Sequence, residues 1–393
     1  MNQNLTFAWV ITLTILTACS SDKDATTTFQ TLNITAAEIK PMDEIIEAIE
    51  FIPFIIPDEN PLKLSYNQAF ILEDEHLYFS TGDYQDASIH VFDKSGKYLK
   101  TFIKQGNGPE EYPFLNGLDW YDGKIAIWDQ RGSAKLYDKE TFEFMGTKTM
   151  EGLEIPFIPD FKKIDQDRWL IVSDLGYEND ANNQYHPFYL FNEANKEKEA
   201  LYPKAWEVTS NLVEGQIGAL SDNSFALNFG ASDTIYHFQD SIRPLVALNL
   251  ADNNLPVSIR SDADEFFETV ITNQKFSFNV GALTTAGDMI RILIFGIKKN
   301  EAIDEDDLSS FPIYNLYIHY PSMKYHLANA FGSSINGKGY SKDGYYYEVL
   351  YPEAVEAAVK SKIFGKYNDK LEAAIGQLND EEDPILLKYK IKP

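Results

Sequence analysis

A chain of 393 residues, 44% of them apolar, is long enough for one large domain or two ordinary ones and has ample material for a core. Acidic residues outnumber basic ones by 60 to 34, for a net charge of −26. A surface of that sign repels phosphate backbones, which excludes nucleic acid as an expected partner, and it suits a soluble exported body. The 23 tyrosines and 26 phenylalanines favour strands.

Residues 5–18 form an apolar run broken by threonines. It is too short to span a bilayer but has the length of a signal-peptide core. The run ends in Leu16-Thr17-Ala18-Cys19, and Cys19 is the only cysteine. That tetrapeptide resembles the lipobox of bacterial lipoproteins, where small residues admit the peptidase and the cysteine thiolate takes the lipid. The resemblance implies a signal peptide over residues 1–18 and lipidation of Cys19, anchoring the protein to a membrane through lipid. Met1-Asn2-Gln3-Asn4 carries no Lys or Arg, so only the α-amino group makes the leader positive. A lipidated Cys19 leaves no thiol for disulfides, metal or catalysis. Ser20-Ser21-Asp22-Lys23-Asp24 resembles, weakly, the acidic tags of surface-exported lipoproteins. The expected location is the outer membrane, facing the periplasm or the cell surface. Residues 19–40 read as a flexible tether and 41–393 as the folded domain.

Strand signals begin near Glu47, with an orphan strand over 48–54 that has no hairpin partner beside it. One pattern then repeats: a first strand, a tight turn, an aromatic-rich second strand, a loop, and a hairpin of two further strands. The second strands align at 76–79, 124–128, 168–172, 224–227, 289–293 and 345–349. Each follows an acidic, Asn or Gly turn such as Asp122-Gly123 or Asp343-Gly344, residues that tolerate the positive φ of two-residue hairpins. Third strands align at 89–92, 134–137, 188–191, 234–237, 314–318 and 385–389. Six units at roughly 45–55-residue spacing have a propeller period. The sixth ends on its third strand, so the orphan near Phe51 is available as its fourth, which removes two sheet edges at once. The predicted fold is all-β, a six-bladed β-propeller closed by an N-terminal strand. Short inserted helices are expected over 261–273 and 352–378, in the last two blades.

Phe51-Ile52-Pro53, Val91-Phe92-Asp93-Lys94-Ser95-Gly96-Lys97 and Gly106-Asn107-Gly108-Pro109-Glu110-Glu111-Tyr112 resemble the TolB-like six-bladed propeller lipoproteins of Bacteroides-type bacteria. Asp383-Pro384-Ile385-Leu386-Leu387-Lys388-Tyr389 is similar to that family's last strand, although Glu110 stands where a glycine is common. The resemblance covers nearly the whole mature chain. It implies fold and envelope location but no general activity.

Gly106-Asn107-Gly108 fails as a phosphate loop, since no third glycine follows and the next element is a strand. It reads as a blade crossing, with Pro109 fixing φ and Tyr112 packing beneath it. The six histidines are scattered without zinc spacing; His90, His237 and His319 fall in third strands and are expected in blade packing. Asp304-Glu305-Asp306-Asp307 offers Ca²⁺ hard oxygens but has no EF-hand spacing, so a solvated loop is expected. No Gly-x-Ser-x-Gly elbow is present.

Loops between second and third strands share a face with the blade crossings. They carry Tyr84, Arg131, Tyr177, Tyr185, His186 and Lys298, a polar-aromatic set suited to sugars or peptides. The leading expectation is a non-catalytic propeller binding a glycan, a peptide or an envelope protein, without a cofactor. The alternative is a Ca²⁺-dependent lactonase-, lyase- or hydrolase-like enzyme with ligands converging on the central channel. A third reading is a structural subunit of an envelope complex.

Overall fold

In a computed structural model of the chain, residues 30–57, 70–81, 87–155, 157–173, 186–201, 216–250, 254–260, 269, 276–297, 312–331 and 340–393 are described. Two strands, β1 (Gln30–Asn33) and β2 (Ile46–Pro53), precede the repeating units. Blade 1 holds β3 (Ile71–Glu73), β4 (Leu77–Thr81), β5 (Ser88–Phe92) and β6 (Tyr98–Phe102). Blade 2 holds β7 (Gly117–Tyr121), β8 (Lys124–Trp128), β9 (Ser133–Tyr137) and β10 (Phe144–Thr149). Blade 3 holds β11 (Phe161–Lys163), β12 (Arg168–Val172), β13 (Phe188–Asn192) and β14 (Glu197–Ala200). Blade 4 holds β15 (Gln216–Ala219), β16 (Phe225–Asn228), β17 (Thr234–Phe238) and β18 (Ile242–Asn249). Blade 5 holds β19 (Phe278–Ala286), β20 (Met289–Phe295), β21 (Ile313–His319) and β22 (Lys324–Asn329). Blade 6 holds β23 (Tyr340–Lys342), β24 (Tyr345–Leu350) and β25 (Ile385–Ile391), with β2 as its fourth strand.

Within each blade the strands are antiparallel neighbours in chain order, and the first strands of all six blades line one cavity. The fold is a six-bladed β-propeller. All six second strands and all six third strands fall where the repeat places them, because each is a short apolar or aromatic run between turn residues. The turns behave as their residues require. Asp122 and Gly123 take φ of 48° and 74°, and Asp343 and Gly344 take 53° and 80°.

Closure is also as expected. β2 pairs antiparallel with β25 from Ile46 opposite Ile391 to Pro53 opposite Ile385. The predicted tether needs one correction, for residues 30–40. β1 adds in parallel to the outer edge of blade 4, with Gln30 opposite Val246 and Asn33 opposite Asn249. Leu32 and Ile34 bury against Val246, Leu248 and Leu327, and Ile39 bridges to Leu327 on blade 5. Two apolar side chains and an unpaired sheet edge are enough to hold a stretch that composition alone marks as linker.

The helices Pro352–Ser361 and Asn368–Ile375 flank a 3-10 turn at Gly365–Tyr367, within the helical span expected over 352–378. They bury Val355, Ala358, Leu371 and Ala374 against blade 6 and the closing strand. The helix expected over 261–273 lies outside the described residues except for position 269; a four-residue helix, Val257–Arg260, precedes it.

The glycine loop is structural, as expected. Tyr112 is fully buried and donates from its hydroxyl to the Ala87 carbonyl at 2.7 Å, while Gly108 N donates to Glu111 Oε2 at 2.8 Å. Phe102 and Phe142 stack at 4.6 Å between blades 1 and 2, and Trp128 meets Phe161 at 4.8 Å between blades 2 and 3. Such aromatic pairs add about 0.5–1.5 kcal/mol each beyond the area they bury. Blades 5 and 6 are joined differently. Arg291 pairs with Glu348, both buried, and donates to Tyr389 Oη (3.2 Å) and Thr284 Oγ1 (3.1 Å). Burial alone would lower the guanidinium pKa, but the Glu348 carboxylate outweighs it and the charge is held more firmly than usual.

Two predictions follow from these contacts. Gly96 has φ +87°, and a Cβ there would lie 1.9 Å from the Pro53 carbonyl oxygen of the closing strand. Gly96→Ala is expected to cost about 2–3 kcal/mol, read as a lowered urea midpoint at unchanged slope. His90 is buried between Thr81 Oγ1 (2.8 Å) and Thr101 Oγ1 (2.7 Å), and burial pushes its pKa down to about 4. The unfolded imidazole titrates near 6.5. Below that pH only the unfolded chain takes up the proton, so stability falls as pH drops from about 6.5 to 4, by up to roughly 3 kcal/mol. Denaturant titrations of the parent and His90→Gln at pH 7 and 4.5 should show a smaller loss in the variant.

Candidate functional site in the central channel

The channel is a cavity of about 460 Å³ lined by the first strands of all six blades. Those strands are short, and each neighbour must be fixed to the next without a continuous ladder. Side chains supply the ties. Asn116 Nδ2 of blade 2 donates to the Ile158 carbonyl leading into blade 3 (3.2 Å), and Ile217 N of blade 4 donates to Asp160 Oδ2 of blade 3 (2.8 Å). Leu283 N of blade 5 donates to Gln216 Oε1 (2.6 Å), and Thr285 Oγ1 donates to the Ala219 carbonyl (2.6 Å). Ser341 of blade 6 donates to the Thr285 carbonyl. Lys342 Nζ donates to the Glu73 carbonyl of blade 1 (2.8 Å), and Glu73 N donates to Tyr340 Oη (3.1 Å). The Glu73 carboxylate itself takes Lys94 and Tyr347. Burial would raise that carboxyl, but these hydrogen bonds and Lys388 hold it below its ordinary pKa.

Among the described residues, Asp119 and Lys162 on the inner strands carry no such tie, nor does Asp343 at the turn beside them. Among the described residues the Asp119 carboxylate accepts from the adjacent Trp120 amide alone (2.7 Å), and Lys162 Nζ lies 3.9 Å from Asp160 Oδ1 without a hydrogen bond. Asp119 is open to the bore, yet desolvation by the surrounding wall pushes its carboxyl pKa up despite the pull of Lys162. Burial would lower Lys162, but the Asp160 and Asp119 carboxylates more than offset it and keep the ammonium charged. Asp119 and Lys162 are therefore an electrostatically coupled acceptor and donor on adjacent blades.

The loop-face residues are distributed differently from the expectation. Arg131 is exposed, with its amide held by Asp129 Oδ1 at 2.8 Å, and it does not line the channel. His186 is 8% exposed and lies edge-on to Tyr189 at 6.0 Å, so it belongs to blade 3 packing. Tyr84, Tyr177, Tyr185 and Lys298 lie outside the described residues, as does the acidic run 304–307. A further polar cluster joins blades 4 and 5. Tyr320 Oη lies 3.3 Å from Asp222 Oδ2 and 3.2 Å from His237 Nε2, and Arg243 Nε donates to His237 Nδ1 at 3.3 Å, fastening blade 4 to blade 5. Among the described residues no three of His, Cys, Asp and Glu come together as a metal site, and no helix is long and apolar enough to cross a membrane.

A family model described as 6-bladed beta-propeller, DUF5128, matches residues 20–279, more than half of the chain. The chain belongs to the DUF5128 family. A crystal structure of a Bacteroides fragilis protein described as exported superposes with a TM-score of 0.63 at 16% identity, covering 93% of this chain and all of that one. That likeness shows the fold alone. The Neurospora crassa Pan2 WD40 domain overlaps at a TM-score of 0.37 and 10% identity over 70% of each chain, too little to argue from. No curated protein matches the sequence.

The division of the channel into ties and untied groups is testable by stability alone. Asp160→Ala leaves the Ile217 and Phe161 amides without their acceptor and should cost about 1–3 kcal/mol. Asp119→Asn keeps an acceptor for Trp120 and should move the unfolding midpoint little. Parallel thermal scans of the two variants would show the contrast.

Proposed function

We propose that this DUF5128 protein is a lipid-anchored envelope propeller of the TolB-like Bacteroides type that binds a ligand in its central channel and does no chemistry on it. The observation that carries the reading is the pair Asp119 and Lys162. Among the described residues neither side chain makes a blade-to-blade hydrogen bond, and both are open to the bore, where a ligand can reach them. A bore of 460 Å³ falls in the range of small-molecule sites. Leu16-Thr17-Ala18-Cys19 supports the anchor, and the exported description of the Bacteroides fragilis neighbour supports the envelope. The lysine between two channel carboxylates disfavours the calcium-enzyme alternative, since its ammonium competes with a dication for the same oxygens.

The anchor is tested by expressing the full chain and Cys19→Ala. The parent should fractionate with membranes and yield a mature N-terminal peptide heavier by its acyl chains, and the variant should do neither. Binding is tested on the chain beginning at Ser20 by thermal unfolding against glycans, peptides, and Ca²⁺ followed by a chelator. A ligand at about a hundred times its dissociation constant should add roughly 2.7 kcal/mol. A shift with Ca²⁺ alone, reversed by the chelator, would sink the binding reading in favour of the metal enzyme.

A further inference from the structure

The last strand of each propeller blade presents an outer edge, and an open edge is where another chain can add. Four of the six edges here are covered or charged. β1 lies along β18 of blade 4, and the residues after it reach β22 of blade 5, where Lys40 N donates to the Leu327 carbonyl at 2.8 Å. The helix Asn368–Ile375 packs on β2 of blade 6. β14 of blade 3 exposes Glu197, Lys198, Glu199 and Ala200 and no large apolar side chain. Blades 1 and 2 differ. β6 and β10 end their sheets, and the exposed large apolar side chains among the described residues are Leu99, Ile103, Phe114 and Met145, all on these strands or in the crossing between the two blades. Ile103 is 66% exposed and Met145 51%. They share one rim. Phe102 of blade 1 and Phe144 of blade 2 pack on the same Tyr137 ring, at 4.9 and 6.0 Å, and Ile103 and Met145 are the residues that follow them. Phe114 follows Pro113, whose carbonyl accepts from Gln105 Nε2 at 3.1 Å, just beyond Ile103.

Charge separates this rim from the rest of the surface. Residues 88–150, the outer half of blade 1 and all of blade 2, hold nine Lys and Arg against nine Asp and Glu. The whole net charge of −26 therefore falls on the remainder of the chain. Two copies that approach through that remainder repel, whereas through this rim they meet without net charge. Exposed Lys97 and Lys100 stand with exposed Glu140 and Glu143 on the same two blades as the apolar side chains. A patch of both signs can complement a copy of itself, as a two-fold contact requires. A cationic patch would fit an acidic partner or anionic lipid instead.

We infer that the outer rim of blades 1 and 2 is the contact between two copies of this chain, related by a two-fold axis, with Leu99, Ile103, Phe114 and Met145 as its apolar part. Blade 4, which carries the N-terminal strap, lies across the ring from blade 1, so the contact leaves the strap and the channel uncovered.

The experiment is sedimentation velocity on the chain from Ser20 across micromolar concentrations. A monomer should give way to a species of twice its mass as concentration rises, and added salt should favour that species by screening the repulsion between two acidic bodies. Ile103→Lys and Met145→Lys should each weaken the dimer at least about tenfold while the unfolding temperature stays within a few degrees. Ala200→Lys, on the edge of blade 3, should leave the dimer unchanged. A second measurement does not depend on losing the contact. The chain from Ser20 has no cysteine, so Ile103→Cys or Met145→Cys should link two copies through a short bis-maleimide, and Ala200→Cys should not. A monomer at every concentration and salt would overturn the inference. So would a dimer that both rim lysines leave intact and that links through Ala200→Cys, which would place the contact elsewhere. A monomer that sediments with anionic vesicles, and loses them in Ile103→Asp and Met145→Asp, would assign the rim to a membrane and overturn it as well.

Discussion

Everything in this molecule depends on the pairing of β2 with β25. Strands from opposite ends of the sequence meet in register from Ile46 opposite Ile391 to Pro53 opposite Ile385, and they turn a row of six sheets into a ring. The entropy of joining distant segments grows only logarithmically with separation, so the span adds little to the cost once the ladder and its core form. The gain is the loss of two open edges. The consequence is concentration of strain at the seam. Gly96 must be a glycine because the closing strand passes against it, and the Phe54 ring stacks on Phe92 at 4.3 Å where the chain crosses from blade 6 to blade 1. On the other side of blade 6, Arg291 and Glu348 lock it to blade 5. Removing one partner of such a buried pair costs several times more than the pair contributes net. The seam is therefore specified by geometry and charge, while the blade 1–2 and 2–3 interfaces rely largely on aromatic packing.

The N-terminal strap extends the same logic. β1 covers the outer edge of blade 4, the next residues cross blade 5, and only then does the chain close blade 6. A segment that composition reads as a linker is thereby half a turn of the ring's outer rim.

The second and third strands were legible because they are buried on both faces and bounded by turns, which gives short apolar runs that sequence displays openly. β1 was not. Its burial pattern leaves a single buried side chain, Leu32, in four residues, and a lone leucine carries no period. The channel wall was not legible for a related reason. Tyr, Arg and His on long loops look like ligand contacts, yet Arg131 points to solvent and His186 is packed into its blade. Asp119 and Lys162 are inconspicuous among the many charged residues of the chain. The available signal was their position: a charge in the middle of a first strand, in Leu118-Asp119-Trp120 and Phe161-Lys162-Lys163, on the one element of each blade that faces the bore.

That position gives a general way to separate scaffold from site in a propeller. The inner strands have three to five residues in five of the six blades, too few for a ladder to set the ring's spacing. Polar side chains on the wall must then serve as spacers, and most of them here do. Asn116, Asp160, Gln216, Thr285, Ser341 and Lys342 each reach a neighbouring blade or the segment leading into it, and exchanging any of them would loosen the ring. A polar wall is thus expected of every such propeller and says nothing by itself about ligands. The informative group is the remainder. Asp119 and Lys162 face the bore and make no blade-to-blade hydrogen bond among the described residues, so they are open to what enters it.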